Sequence, residues 1–465
     1  MTLCTNLPSN LQGVDVIIAG GGSAGCIVAA RLADADPKLS ILIIEGGTNN
    51  FEVPLIVHPG FLFAHIQLQN KYMQFYKGKK SQHLGGREAV VPCGGVLGGG
   101  SSVNLMLYSL AQRSDFDAWE TPGWSANELL PYLKKLETYH GEDKTSCHGN
   151  DGPIHVSGST YRASRLENDF ITAVTKLGYP VVDDLNNLDT GNGVMRALRY
   201  VNPQGKRQDT AHTYIHPRLK DGEHPNLHVL TESLVERILF EGTRAVGVSY
   251  KPNQTLQPDA DNAVRTVKAR KLVILSCGAL GTPLVLERSG VGSSDILQRA
   301  SVDLVADLAG VGCHYQDHHM MLYPYASSLE PDETLDALNA GRLDPGILIK
   351  DNHKILGWNS VDAQCKLRPT EGDVFSLGPA FQEAWNREFR GAPPRVGLAV
   401  MAPDSSGNHG IVLRLNLVSL SAGWLTHAVV AGQRLHHITC SGWSCRTAHS
   451  SSNTFTNAAL RLSLA

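Results

Sequence analysis

The sequence predicts an α/β protein, and three observations carry the prediction. An apolar run near the N-terminus passes through a glycine turn into an Ala-rich segment; a second apolar run ends on an acid; and a denser glycine cluster follows near residue 95. With 42% hydrophobic and 18% charged residues, the chain can bury a sizeable core, which excludes global disorder. Its 465 residues suit two or three domains. Lys and Arg total 41 against 44 for Asp and Glu, so there is no basic excess with which to neutralise nucleic-acid phosphates.

The first unit begins with Asp15-Val16-Ile17-Ile18-Ala19, a run of strand length rich in β-branched residues. It enters Gly20-Gly21-Gly22-Ser23-Ala24-Gly25, and Cys26 to Ala33 then reads as a helix ending before Asp36-Pro37. Ser40 to Ile44 reads as a second buried strand, closed by Glu45. Strand, Gly-x-Gly-x-x-Gly, helix, strand and acid, in that order, predict a Rossmann-like dinucleotide site. Gly20 permits the tight turn, Gly22 admits a pyrophosphate to the backbone, and Gly25 lets helix and strand pack closely. The helix N-terminus presents its positive end to the phosphates, and Glu45 can accept hydrogen bonds from a ribose. Gly21-x-Ser23-x-Gly25 also matches a nucleophile elbow, but too few strands precede it for a hydrolase, so Ser23 is assigned to the cofactor turn.

Five glycines lie between Gly94 and Gly100, followed by Ser101, Ser102 and Asn104. Glycine weakens both helix and strand interiors, so something approaches this backbone closely. A second glycine loop suits a cofactor larger than a nucleotide, such as FAD.

The segment Gly94 to Asn104, followed by Asp115-Phe116-Asp117-Ala118-Trp119, resembles the first signature of the glucose–methanol–choline (GMC) flavoprotein oxidoreductases. Gly278 to Gly292, with Thr282-Pro283 and Ser289-Gly290, is similar to the second. Asn226 to Thr231 and Val235 to Phe240 look like the family's strand pair near the adenine, and Leu308 to His318 resembles its Gly-Val-Gly-x-x-x-Gln-Asp-His segment. Pro92-Cys93, Glu45-Gly46-Gly47, Leu130-Pro131-Tyr132, Arg207-x-Asp209-Thr-Ala-His212 and Lys366-Leu-Arg-Pro-Thr370 are most like the fungal alcohol (methanol) oxidases. The resemblance covers about residues 12 to 402. It implies FAD as cofactor, with Gly20, Gly22, Ser23, Gly25 and Glu45 on the ADP half. It places Gly98, Gly99, Ser102 and Asn104 along the pyrophosphate and flavin, and Val235 at the adenine through its backbone. It further implies oxidation of a primary alcohol to an aldehyde, with hydride passing to flavin N5 and oxygen as acceptor.

Beyond residue 402 the text changes. No Asp, Glu or Lys occurs from Ile411 to Ala465, as a translated intron or shifted frame would produce. The family's general base, a His near the C-terminus, is therefore expected to be missing. Trp424, His427, His436, His437, Trp443 and His449 lie outside any family context, and no catalytic residue is assigned. An inactive flavoprotein and an NAD-dependent dehydrogenase are the alternatives. No metal site is assigned either: His314 and His318 are four apart but fall in the family's loop. Asp183-Asp184 reads as solvated or turn residues, and Lys77, Lys79 and Lys80 as a wet basic loop.

Nine irregularly spaced cysteines do not form a disulfide framework and fit a reducing compartment. The first residues carry no secretory pattern and the last four are not a Ser-Lys-Leu address, so the expected location is intracellular, cytoplasmic or peroxisomal. The uncharged stretch between Arg414 and Arg434 is too polar for a membrane span. The expected partners are a small alcohol and oxygen, with no nucleic acid or membrane, and a homo-oligomer is left open. The predicted architecture is a Rossmann-like FAD-binding domain over 12–312, with an excursion near 157–194 into a cap. An incomplete α+β substrate-binding cap starts at 313–402, and 403–465 is an atypical tail.

Overall fold

A short strand, β1 (Thr2–Cys4), precedes the first apolar run, which forms β2 (Gly13–Ala19). The Ala-rich segment is a helix, Ser23–Ala35, and the second run is β3 (Ile41–Ile44). The helix stops where Asp36 turns extended and gives its N–H to the Leu32 carbonyl, one residue before Pro37, which could not continue it. The computed structural model describes residues 2–9, 11–313, 315, 317, 319–326, 329–330, 333–391, 397–401, 410–417 and 429–431.

β2 and β3 pair in parallel, from Val16 opposite Ile41 to Ala19 opposite Ile44. Alternation along them feeds two cores. Val16, Ile18, Ile41 and Ile43 meet the helix's Cys26, Ala29, Ala30 and Ala33 on one face of the sheet. Val14, Ile17, Ala19, Leu42 and Ile44 meet Val248 and Val273 on the other. A sheet covered on both faces needs strands that are apolar throughout, as these runs are.

The β-hairpin of β4 (Met73–Ser81) and β5 (Arg87–Gly94) carries Lys77, Lys79 and Lys80, which are exposed. A parallel pair, β6 (Glu137–Tyr139) and β7 (Ile154–Val156), and then β8 (Gly193–Arg196) follow. β9 (Leu227–Leu230), β10 (Ser233–Glu241), β11 (Arg244–Pro252) and β12 (Arg265–Leu275) complete the central sheet, in the order β1-β9-β3-β2-β12-β11-β10. The run after Pro252 joins the antiparallel β11 and β12, as a hairpin loop should. The expected strand pair near the adenine differs: β9 and β10 both form but do not pair with each other. β9 instead takes the free edge of β3 in parallel, Leu227 opposite Ile41, while β10 pairs with β11.

The chain then adds the short parallel pair β13 (Val291–Gly292) and β14 (Ala306–Asp307). β15 (His319–Ala326), β16 (Val361–Lys366), β17 (Gly397–Met401) and β18 (Gly410–Leu417) form a second, antiparallel sheet in the order β15-β18-β17-β16-β8. β8 ends it, antiparallel to β16. β19 (Val429–Ala431) pairs with β12. The remaining residues of the expected tail lie outside the described ones, as do His314 and His318. No helix among the described residues is long and apolar enough to cross a membrane.

One polar reading is corrected. Asp183 is exposed and pairs with Lys144 at 2.7 Å, but Asp184 is buried against the buried His148, Nε2 to Oδ2 3.0 Å. Burying that carboxylate is tolerable because the imidazole and the Asn186 N–H satisfy it.

Candidate cofactor site

The two glycine clusters, Gly20–Gly25 and Gly94–Gly100, are distant in sequence but close on each other above the C-terminal end of β2. Gly20 takes φ +97°, and a Cβ there would stand 2.4 Å from the Ser276 carbonyl oxygen. Ser276 Oγ in turn donates to the Gly20 carbonyl at 2.7 Å, which fixes the turn against the end of β12. Gly25 has its Cβ position 2.1 Å from the Gly20 oxygen, so only glycine lets the helix start this close to the strand. The Gly98 N–H donates to the Gly21 carbonyl (2.8 Å), and Ser23 Oγ donates to the Gly98 carbonyl (3.3 Å). Gly99, at φ +55°, leaves no room for a Cβ against Gly22 Cα, 2.7 Å away.

Gly22 itself is different. A Cβ there would make only ordinary van der Waals contacts, with Gly99 Cα at 3.8 Å and the Ser276 carbonyl oxygen at 3.9 Å, so the backbone at the helix N-terminus is uncrowded. Uncrowded backbone at a helix N-terminus, beside a second glycine turn, is what a pyrophosphate requires, and the residues present fit the group.

Glu45 is buried, and burial raises its carboxyl above the usual range. One oxygen accepts the Gly21 N–H at 2.7 Å and the other the Gly47 N–H at 2.8 Å. Each oxygen keeps a lone pair, so ribose hydroxyls remain admissible. Val235 lies close by through the backbone: the Ser233 N–H donates to the Glu45 carbonyl (2.9 Å), and Leu234 covers Gly46. A register shift between Val235 and Arg237 bends β10 at this point.

The second cluster presents its side chains unevenly. Ser102 faces inward: its hydroxyl donates to the Leu97 carbonyl (2.8 Å) and accepts from Asn50 Nδ2 (3.0 Å). Ser101 is likewise used up, donating to Gly98 O (2.6 Å) and accepting the Thr210 N–H (3.1 Å). Asn104, half-buried, ends the short helix Gly100–Val103.

Beneath this loop lies a polar group that the sequence reading did not assign to the site: Asn50, Arg207, Asp209, His212 and His216. Asp209 accepts from Asn50 Nδ2 (3.1 Å) and from the N–H groups of Ala211 and His212 (both 2.9 Å). His212 Nδ1 donates to its other oxygen at 2.7 Å, while Nε2 accepts the Glu52 N–H at 3.3 Å. His216 Nε2 meets Asn50 Oδ1 at 2.7 Å, and burial pushes its pKa down to about 4. The motif Arg207-x-Asp209-Thr-Ala-His212 was visible, but Asn50 lies 159 residues from Asp209 and nothing in its neighbours marks it.

The match to the GMC oxidoreductase family model spans residues 14–320, which includes both glycine turns and the second signature helix, Gly278–Arg288. The chain belongs to this family. In lineage it is a flavin-dependent oxidoreductase, and FAD is its cofactor. It is 40% identical over 389 residues to an alcohol oxidase of Candida boidinii and 38% identical over 392 residues to that of Pichia angusta. Each alignment covers 82% of this chain, which spans only 58% of the length of either relative. Among solved structures, it is similar to an FAD-dependent oxidoreductase from Chaetomium thermophilum (TM-score 0.71, 25% identity, 87% of this chain and 74% of the other). It also shares its fold with Aspergillus oryzae formate oxidase (TM-score 0.74, 21% identity, 87% and 73%). Within the second signature, Ser289 Oγ donates to Val285 O and accepts the Ile238 N–H, tying the helix to β10.

Proposed function

We propose that this GMC oxidoreductase binds FAD against its two packed glycine turns and that its lineage oxidises primary alcohols to aldehydes, with oxygen as the electron acceptor. The observation that carries the reading is the uncrowded Gly22 at the N-terminus of the helix Ser23–Ala35, where an added Cβ would meet nothing nearer than 3.8 Å, with Gly99 packed beside it and Glu45 bonded to the same turn. Gly20, Gly22 and Gly25 would hold the pyrophosphate end, Glu45 the ribose, and the backbone at Val235 the adenine. Gly98, Gly99 and Asn104 would border the remainder. Ser23 and Ser102 support this reading as braces between and beneath the turns. Bound FAD would supply the hydride acceptor for the alcohol carbon. The second glycine turn packed on the first favours this reading over an NAD-dependent dehydrogenase, which would need only the first. On the same reading, residues 12–312 form the cofactor domain, and the sheet from β8 to β18 belongs to the substrate cap.

We also propose that this 465-residue chain does not turn over as an alcohol oxidase. What supports this is the text after residue 402, where no residue stands in the family's Trp-His context. A general base contributes typically ~10²–10⁴-fold. A peroxide-coupled assay with short-chain primary alcohols on FAD-loaded protein tests both parts. Flavin uptake without peroxide is expected. Turnover above ~1 s⁻¹ would overturn the second part, and protein that takes up NADH but not FAD would overturn the first.

A further inference from the structure

Arg207 is 3% exposed and reaches the second glycine loop from below. Its Nε donates to the Ile56 carbonyl (2.8 Å), and Nη1 donates to the Asn104 carbonyl (2.8 Å) and to Asn104 Oδ1 (3.0 Å). A third, longer contact runs from Nη1 to the Ser101 carbonyl (3.3 Å). Nη2 is sealed from solvent with no acceptor among the described residues. Among the described residues no carboxylate bonds to the guanidinium directly; the oxygens of Asp209 are met by Asn50, His212 and backbone N–H groups. A buried cation with an idle donor is costly, and here it is spent on one short loop.

The effect on Asn104 is specific. Its Oδ1 accepts from two donors, Arg207 Nη1 and the Met106 N–H (2.9 Å). Turning the amide over would lose both bonds and set donor against donor, so the oxygen is locked inward and the NH₂ group faces away from the protein-side donors. Among the described residues nothing accepts from Nδ2. Since the hydroxyls of Ser101 and Ser102 are consumed inside the loop, this NH₂ is the loop's one uncommitted polar side-chain group.

We propose that Arg207 is a positioning residue for the cofactor: it fixes the Asn104 amide so that Asn104 is presented as a hydrogen-bond donor to an acceptor group of FAD. The proposal rests on the FAD reading above and concerns how this chain prepares for it.

Titration of the apoprotein with FAD, followed by flavin fluorescence quenching and visible circular dichroism, tests it in a double-variant cycle. Arg207→Met and Asn104→Ala should each weaken FAD binding by about tenfold, as expected for one hydrogen bond to a charged or oriented partner. In the Asn104→Ala background, the further change Arg207→Met should do nothing more, because Arg207 acts through that amide. Arg207→Lys, which keeps the charge but not the fork, should fall between wild type and Arg207→Met. It too should be silent in the Asn104→Ala background. A purely structural role would lower affinity by the same factor in both backgrounds, and additive losses would overturn the proposal. If Arg207→Met does not fold, the cycle closed with Arg207→Lys gives the same decision. Wild-type uptake of FAD with undiminished uptake by Asn104→Ala overturns this proposal alone. Wild-type protein that takes up no FAD overturns the cofactor reading and this proposal with it.

Discussion

Two glycines three residues apart, Gly22 and Gly25, carry opposite predictions, because their surroundings differ. At Gly25 a methyl group would stand 2.1 Å from the Gly20 carbonyl oxygen, and backbone must move to admit it. Gly25→Ala should cost about 1–3 kcal/mol or more as overpacking, read as a fall in the denaturant midpoint of the apoprotein. At Gly22, φ is −75° and the nearest atom to an added Cβ is 3.8 Å away. Gly22→Ala should leave apoprotein stability within about 0.5 kcal/mol, as for an unhindered substitution, yet weaken FAD binding, because on the proposed reading the methyl group would hold the pyrophosphate away from this backbone. An apoprotein melt and an FAD titration on the same two variants separate the roles. His148 supplies a pH prediction. Burial works against its charge, but hydrogen bonds to Asp184 Oδ2 (3.0 Å) and Glu137 Oε1 (2.9 Å) outweigh it and lift its pKa to about 9 from 6.5. A raised value means the folded state holds the proton more tightly than the unfolded state does. The stabilisation is full below pH 6.5 and is lost as pH rises through about 9. The apoprotein melting temperature should therefore fall between those limits, and His148→Gln should flatten that part of the profile.

At the scale of elements, the second sheet is fastened to the rest of the molecule by buried charge. Arg199, just past β8, is fully buried and ion-paired with Asp362 on β16. Its other donors reach Asn359 Oδ1 (2.6 Å), Gly158 O (2.5 Å) and Val361 O (2.8 Å), and Trp358 Nε1 also donates to Asp362 (3.0 Å). Asn359 then donates to the Leu105 carbonyl (2.7 Å), next to Asn104, so this network runs from β16 to the cofactor loop. Such a pair adds little net energy over apolar packing, but removing one partner strands the other. Asp362→Ala should destabilise by about 3–5 kcal/mol, measured by urea unfolding. Arg199→Met with Asp362→Leu together should recover part of that loss. A single variant as stable as wild type would show that water reaches the remaining charge.

For the whole molecule, a ligand that binds the folded state alone must raise its melting temperature. FAD at about 100 times its dissociation constant should stabilise by roughly 2.7 kcal/mol. NADH at the same concentration should leave the melt unchanged. A shift with NADH and none with FAD would reverse the cofactor reading independently of any turnover assay.

Local text determined a good deal of this protein. The strand–glycine–helix–strand–acid unit was legible because each part is set by neighbours a few residues away: β-branched runs, glycine where backbone must touch backbone, and a proline where the helix must stop. The second glycine cluster, Gly94 to Gly100, was equally legible as a segment that could not be a regular element interior. Contacts across long sequence separations were not. The pairing of β9 with β3 rather than with β10 depends on which sheet edge is free, and the strand sequences do not carry that. Asp184 looked solvated because its neutralising partner, His148, lies thirty-six residues away. Ser102 read as a residue of the cofactor loop, but the Asn50 amide that meets its hydroxyl lies fifty-two residues away; Arg207 looked like one letter of a motif, yet folding buries it against Asn104. A buried polar group is defined by its partners, and only the tertiary structure decides which partners arrive.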